Sequence, residues 1–452
     1  MRIVLIGYRG TGKTVVGRIL AERKKLRFLD TDSLIETREG ETINEIFRTK
    51  GELYFRKVEK EIIEDLPKEG IISTGGGAVL NPENVARLRA ASTVILLSAK
   101  PETLIERIAR SRRPRLTELS LEEEVQHHLE NRRPAYLMAA DFCLDTTGMQ
   151  VLTVVTGIEQ IMEMKMISIP SLLQGSFVTR DDRALLAQKT QEYDVPLRIC
   201  AVIGYPVSHS RSPALFNGLF SSYHLPYHYI RMEYPTVKDL IEFARTHNFR
   251  GLSVTIPFKL DVIPYLDEIN PTALTIGAVN TVVRCGGRNY GYNTDWLGIR
   301  RPLLHLKGAK APIIGAGGAA AAAVYACLDL EMQVTILNRT PERGADLARR
   351  FGCRSAPLSS FTAGGADLVI NATPVGMHPD IHTPIPLDLL TPGMTVFDLV
   401  YTPPDTPLLR GARERGCTTI SGVEMFINQA REQFSLFTGI SVPDTLVRRM
   451  LS

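Results

Sequence analysis

The chain is predicted to be an α/β protein built on parallel sheets and divided into more than one domain. Two observations carry this. Two glycine turns, Gly7-Tyr8-Arg9-Gly10-Thr11-Gly12-Lys13-Thr14 and Gly315-Ala316-Gly317-Gly318-Ala319-Ala320, directly follow short apolar runs, Ile3-Val4-Leu5-Ile6 and Pro312-Ile313-Ile314. Around them, short β-rich runs alternate with stretches of helical periodicity, the pattern of a sheet covered by helices on both faces. At 452 residues, 44% apolar and 23% charged, there is material for about three domains of ordinary size.

Over residues 1–163 the strand candidates are 3–6, 27–29, 71–73, 93–97 and 142–144, and helical periodicity covers 14–25, 43–66, 101–111 and 121–139. Residues 164–197 change texture after Met162-Glu163-Met164 and read as a connector. A second unit, 198–300, opens on Ile199-Cys200-Ala201-Val202-Ile203-Gly204, and its Pro, Gly and Asn punctuation indicates short strands, turns and helices. The second glycine turn opens a third unit, 301–419, and 420–452 read as helical.

Composition excludes several classes. The net charge of +4 leaves no basic footprint for nucleic acid. The six cysteines are scattered, which fits neither a disulfide framework nor a zinc site and points to a reducing compartment, the cytoplasm. The first apolar run is too short for a secretory signal. The stretch 313–330 resembles a membrane span only superficially, being mostly Ala and Gly with Asp329 and Glu331 at its end. No membrane partner is expected.

A strand, a glycine turn and a helix N-terminus together aim backbone N–H groups at an anion. In the first turn, Gly10 and Gly12 shape a Gly-x4-Gly-Lys-Thr motif in which Lys13 reaches the β/γ-phosphates of a nucleoside triphosphate and the Thr14 hydroxyl binds Mg²⁺. Further along stand Asp30-Thr31-Asp32, Phe55-Arg56-Lys57-Val58-Glu59, Gly75-Gly76-Gly77-Ala78-Val79, Arg113-Pro114-Arg115 and Asn131-Arg132-Arg133-Pro134-Ala135-Tyr136. In this order and spacing the segment from Met1 to about Glu163 resembles shikimate kinase.

The resemblance implies a P-loop α/β/α sandwich that uses ATP and Mg²⁺. Arg56 and Arg132 would clamp the shikimate carboxylate, matching the fork of guanidinium to its two oxygens. Asp32 would orient or deprotonate the 3-hydroxyl, Asp30 would hold Mg²⁺, and Gly76 and Gly77 would bring backbone against substrate. Arg113 would close on a lid over the transferred phosphoryl group. Singly, these residues have plainer readings: aspartates at a strand end cap helices, and a run of arginines is a solvated face. Arg115 departs from the leucine often found after the Arg-Pro pair.

The second turn lacks the lysine and hydroxyl, and reads as a dinucleotide site formed by Gly315, Gly317, Gly318 and Ala319. At the end of the next strand, where an NAD site carries an acid, stand Asn338, Arg339, Thr340 and then Arg343, a charge pattern that suits the 2′-phosphate of NADP(H). The plainer reading makes these arginines exposed helix-start residues. The chain also carries Ser208-His209-Ser210-Arg211-Ser212-Pro213, Val254-Thr255-Ile256-Pro257-Phe258-Lys259, Gly277-Ala278-Val279-Asn280-Thr281, Asn293-Thr294-Asp295, Asn371-Ala372-Thr373-Pro374 and Gly422-Val423-Glu424-Met425, with Gln429 beyond. From about Ile199 onward it resembles shikimate dehydrogenase.

That resemblance implies an α/β substrate domain at 198–300, completed by 420–452, and a Rossmann NADP domain at 301–419. Lys259 would be the proton donor in reduction and the base in oxidation, with Asp295 orienting it. Ser210 and Ser212 would hold the substrate carboxylate, Thr255, Asn280 and Gln429 the ring hydroxyls, and Gly422 would meet the cofactor. His209 reads as a brace for its loop. Tyr205, where the family often has Asn, and Pro374-Val375 are departures outside these roles.

The joint expectation is one polypeptide that reduces 3-dehydroshikimate to shikimate with NADPH and phosphorylates shikimate with ATP, two consecutive steps toward chorismate and the aromatic amino acids. Its rivals are a dehydrogenase that also takes quinate or prefers NAD, and a dehydrogenase joined to a P-loop module that senses nucleotide without turnover.

Overall fold

Three sheets organise the described residues, each with its own strand order. The computed structural model describes residues 1–452 except 91, 110–119, 164–176, 180–181, 183–196, 209, 363–365 and 452. Strands β1 (Arg2–Ile6), β2 (Phe28–Asp30), β3 (Gly70–Ser73), β4 (Thr93–Ser98) and β5 (Phe142–Asp145) form a parallel sheet in the order β2-β3-β1-β4-β5. β1 lies at its centre, buried along its whole length, which is why its sequence is an unbroken apolar run.

The expected helix over 43–66 is two helices, Ile43–Thr49 and Gly51–Glu64. Gly51 sits at φ 83, a left-handed conformation that ends the first helix before the second begins. Three further helices in this unit, Thr31–Glu39, Pro82–Arg89 and Val151–Glu163, had no counterpart among the periodic stretches of the sequence. Asp30 and Asn81 cap the first two with their side chains, so the helix-cap reading of the Asp30 pair holds for Asp30.

The second sheet is mixed. β6 (Arg198–Gly204), β7 (Tyr227–Glu233), β8 (Gly251–Val254), β9 (Glu268–Ile269), β10 (Thr281–Cys285) and β11 (Arg288–Tyr292) run in the order β7-β6-β8-β10-β11-β9. The pairs β8–β10 and β10–β11 are antiparallel. The departure from an all-parallel sheet begins with β10, which runs antiparallel to β8, and Gly286-Gly287, both at positive φ (58 and 79), then fold β10 and β11 into a tight hairpin.

The third sheet is wholly parallel: β12 (Lys310–Ile314), β13 (Gln333–Asn338), β14 (Arg354–Pro357), β15 (Leu368–Asn371), β16 (Thr395–Asp398) and β17 (Thr418–Ser421), in the order β14-β13-β12-β15-β16-β17. This doubly wound order reverses direction beside β12, so a crevice opens at the carboxyl ends of β12 and β15. The Ala-rich stretch becomes the buried helix Gly318–Asp329, packed in the core of this sheet. No helix among the described residues is long and apolar enough to cross a membrane.

The C-terminal segment is split by Gly439 (φ 76) into Gly422–Thr438 and Asp444–Leu451. The longer helix lies on the second sheet, where Phe434 and Phe437 join Phe216 and Tyr229 in one aromatic cluster. The first unit is not isolated: Cys285 and Tyr290 of the second sheet complete its hydrophobic core.

Candidate active sites

The first glycine turn wraps the end of β1. Gly7, Gly10 and Gly12 all have positive φ (142, 85 and 92), and a Cβ on Gly7 would stand 2.2 Å from the backbone oxygen of Leu97, so no side chain fits there. Lys13 opens the following helix and curls back over the turn, its Nζ donating to the carbonyls of Gly7 (2.8 Å) and Tyr8 (3.0 Å). The Thr14 hydroxyl donates to Oδ2 of Asp30 at 2.8 Å, while Oδ1 of Asp30 accepts from the Asp32 backbone N–H. A hydroxyl and a carboxylate oxygen side by side at the turn match the few hard oxygen ligands that Mg²⁺ takes from protein when phosphates supply the rest.

Beside this turn the other residues of the first set converge. A methyl on Gly76 would lie 3.7 Å from the Arg9 N–H, the Gly7 carbonyl and the Tyr136 hydroxyl alike, so the Gly75–Gly77 segment adjoins the phosphate turn. Asp32 packs on Gly75, where a Cβ would meet its Oδ1 at 2.6 Å, and the Arg56 guanidinium turns its two Nη atoms toward Gly77, each 2.6 Å from where a Cβ would stand. The Tyr136 hydroxyl donates to the Gly76 carbonyl, and Arg132, one turn earlier on the helix Leu121–Ala139, bonds to Tyr136. Arg56 is held by Glu59 (2.8 Å) and Glu52 (3.0 Å) of its own helix. Glu59 is 1% exposed; burial pushes its carboxyl up, and the Arg56 and Arg132 charges oppose that. Arg113 lies outside the described residues.

The second set lines one cleft of about 830 Å³ between the second and third sheets. On one wall stand Ser210, Ser212, Thr255, Lys259, Asn280, Asp295 and Gln429. On the other stand Gly315, Gly317, Gly318, Ala319, Asn338, Arg339, Thr340 and Arg343, with Gly422 at the junction. Lys259 Nζ donates to Asp295 Oδ2 at 2.6 Å, and Asn280 Nδ2 donates to Asp295 Oδ1 at 2.8 Å. Asp295 begins a short helix whose entry is pinned by Asn293, and Thr294 exchanges bonds with Asn280. Gln429 projects from Gly422–Thr438 to accept from Thr294. Ser212 N–H donates to Ser210 Oγ. His209 is outside the described residues.

On the dinucleotide side, Gly315 has φ 118, and a Cβ there would press on the Ala372 carbonyl at 3.1 Å. Space over Gly317 is open, with nothing within 4 Å of where a Cβ would stand. That open cradle fits a pyrophosphate approaching the start of Gly318–Asp329. Asn338 is tied to the Thr340 carbonyl (2.8 Å), and beyond β13 the exposed Arg339 and Arg343, but not the intervening Glu342, line the cleft. Gly422 has a packing reason as well: a Cβ would strike the carbonyls of Val400 and Leu399 at 2.5 and 2.6 Å.

Residues to which the sequence assigned no role also belong to these sites. Glu59 orients Arg56 from three positions along the same helix, a spacing that could have found it. Tyr401 lines the second cleft and stacks on Phe426 at 5.0 Å; burial pushes its phenol up, and no local pattern marks it.

Comparison with known proteins follows this division. The family described as shikimate kinase matches residues 9–163. The shikimate dehydrogenase substrate binding domain matches 202–282, the shikimate / quinate 5-dehydrogenase family 299–378, and the shikimate 5′-dehydrogenase C-terminal domain 422–450. A shikimate dehydrogenase (NADP(+)) of Halothermothrix orenii is 40% identical over 278 residues, 57% of this chain and 96% of that protein. The structure of shikimate 5-dehydrogenase from Thermus thermophilus in complex with NADP(H) and shikimate is 34% identical, with TM-score 0.53, covering 56% of this chain and 98% of that one. A quinate dehydrogenase from Corynebacterium glutamicum in complex with NAD is 32% identical, with TM-score 0.53 and coverage of 56% and 98%.

Proposed function

From a chain that belongs to the shikimate dehydrogenase family and carries a shikimate kinase domain ahead of it, we propose the following division of labour. The protein is a bifunctional enzyme of the shikimate pathway, an NADP-dependent oxidoreductase joined to a kinase. Residues 1–163 are the kinase unit, 164–197 the connector, 198–300 with 420–452 the substrate domain of the dehydrogenase, and 301–419 its NADP domain. The reaction product of the second part, shikimate, is the substrate of the first. A cytoplasmic setting accords with the six cysteines, all free thiols.

In the dehydrogenase, NADPH supplies the hydride. Lys259 delivers the proton to the ketone oxygen of 3-dehydroshikimate, and Asp295 keeps the ammonium aimed into the cleft. Ser210 and Ser212 hold the carboxylate; Thr255, Asn280 and Gln429 read the ring hydroxyls. Arg339 and Arg343, with Asn338 in place of an acid, select the 2′-phosphate.

In the kinase, ATP supplies the phosphoryl group and Mg²⁺ screens its charge. Asp32 accepts the proton side of the 3-hydroxyl, Arg56 and Arg132 hold the carboxylate, and Gly76 and Gly77 let the ring approach the backbone. Lys13, now resting on Gly7 and Tyr8, is placed to exchange those carbonyls for phosphate oxygens. Thr14 and Asp30 are the metal-holding pair, and Arg113 the lid cation.

The observation that carries this reading is the Lys259–Asp295 pair at 2.6 Å in the cleft that the glycine cradle also lines, with the Lys259 Cβ 3.4 Å from where a Cβ on Gly318 would stand. A single assay tests it: purified protein with 3-dehydroshikimate, NADPH and ATP·Mg²⁺, following cofactor oxidation and ADP together. Oxidation of NADPH followed by shikimate-dependent release of ADP is expected. Nucleotide binding without ADP release would establish the sensing-module alternative.

A further inference from the structure

The helix that carries Arg132 and Tyr136, Leu121–Ala139, ends against the other enzyme. The last carbonyls of any helix lack partners within it and carry the negative end of the helix dipole, so a cation there both caps and steadies it. Here the cation comes from residue 250, at the mouth of β8. Arg250 is 5% exposed, and four of its hydrogen bonds go to backbone carbonyls. Nη2 donates to Leu137 O (3.3 Å) and Met138 O (2.8 Å), the final turn of the kinase helix. Nε donates to Phe437 O (2.9 Å), the final turn of Gly422–Thr438, which carries Gln429. Nη1 donates to Arg284 O (3.0 Å) on β10.

We propose that Arg250 is a positioning residue for phosphoryl transfer, supplied to the kinase by the dehydrogenase. One planar guanidinium joins the ends of the two helices that present carboxylate- and hydroxyl-binding groups to the same cyclohexene acid in two different pockets. Only a fork of fixed donors spans both ends at once. The kinase's own Arg89 also reaches Met138 O, but Leu137 O, immediately after Tyr136, is held from the dehydrogenase side. Loss of that hold lets the last turn rotate, and Tyr136 and Arg132 move with it. The proposal rests on the reading of Arg132 as a shikimate ligand.

The test uses the full-length protein and separates positioning from mere adhesion of the two parts. Arg198 is the comparison: it lies in the same boundary but bonds to Asp141 (2.6 Å), Ser92 O (3.0 Å) and the Tyr227 side chain rather than to a helix-end carbonyl. In R250M the KM for shikimate in ATP-dependent phosphorylation is expected to rise roughly tenfold, the size of a lost charge at a helix terminus, with the KM for ATP unchanged. Phe437 O retains Tyr227 as a donor, so the KM for shikimate in the dehydrogenase direction moves by less than about twofold. R198M is expected to lower thermal stability and leave both values alone. R250K keeps charge and volume without the fork and should raise the kinase KM by about threefold; it decides the question if R250M does not fold. An unchanged kinase KM in the folded variants, an equal rise in the KM for ATP, or the same effect from R198M overturns the proposal. Absence of phosphorylation by the unaltered protein would instead refute the kinase reading beneath it.

Discussion

Lys259 and Asp295 meet at 2.6 Å with the carboxylate fully engaged: Oδ2 accepts from the lysine and Oδ1 from Asn280. The ammonium is thereby fixed in the cleft that the glycine cradle also lines. Two donors on two oxygens make this arrangement intolerant of an amide, which has one acceptor and one donor.

Removal of the proposed proton donor is therefore expected to be severe. Lys259→Ala should lower kcat for NADPH oxidation by roughly 10²–10⁴-fold, the range for a positioned acid, while shikimate phosphorylation continues. Asp295→Asn should lie within the same range but lower in it, because the amide turns a donor toward either Lys259 or Asn280. Steady-state kinetics of both activities on each variant provide the check; loss of phosphorylation in a folded Lys259 variant contradicts the division into two sites.

The converse variant is Lys13→Ala. Its ammonium bridges the Gly7 and Tyr8 carbonyls at the end of β1, in the first unit. Phosphorylation should fall by at least about 10²-fold, comparable to deletion of one oriented charge-stabilising donor, with NADPH oxidation intact. Release of ADP, measured beside oxidation of NADPH, distinguishes the two.

The charges proposed to set cofactor choice face solvent. Arg339 and Arg343 are exposed at the end of β13, where Asn338 replaces the acid of an NAD site. Arg339→Ala should raise the KM for NADPH roughly tenfold and leave that for NADH unchanged, consistent with loss of a charged hydrogen bond. Added salt should narrow the difference, since exposed charges are screened. Equal effects on both cofactors would show that the arginine does not read the phosphate.

Much of this was legible because phosphate-binding turns are local. The apolar run Ile3–Ile6, the glycines and Lys13-Thr14 are contiguous, so strand, turn and helix could be read in one pass. The same holds for β12 and its cradle. Long-range partners were not legible. Glu59 is visible as a motif member, but its burial under Arg56 depends on Gly75 and Gly77 bringing another strand end against the helix. The reversed strand β10, which makes the second sheet mixed, and its hairpin at Gly286-Gly287 were hidden in a run of turn residues. Arg250 meets the carbonyls of Leu137, Met138 and Phe437, and Tyr401 the ring of Phe426, all brought from distant segments, and no spacing rule reports that.

Asp398 gives the pH prediction, and it too was invisible in the sequence. It ends β16 at 0% exposure, with Oδ1 accepting from Asn371 Nδ2 (2.9 Å) and Val400 N–H (3.1 Å) and Oδ2 from the Thr406 hydroxyl (2.6 Å). Burial wins over these three donors and pushes the carboxyl from its ordinary 3.8 up to about 6. Below the ordinary value both folded and unfolded chains carry the proton, and no penalty arises. Between the two values the unfolded chain is ionised while the folded one keeps its proton, so unfolding releases a proton and rising pH favours it. Above about 6 the penalty is complete, on the order of 3 kcal/mol for a shift of this size. Asp398→Asn keeps two of the bonds and reverses the third: its oxygen accepts from Asn371 and Val400, and its amide donates to the Thr406 hydroxyl. Relative to that variant, the unaltered protein should lose stability as pH rises from 4 to about 6 and hold a constant offset above 7. Urea midpoints of the two proteins across this range measure it; an offset that stays constant from pH 4 upward would mean the buried carboxyl titrates at its ordinary value.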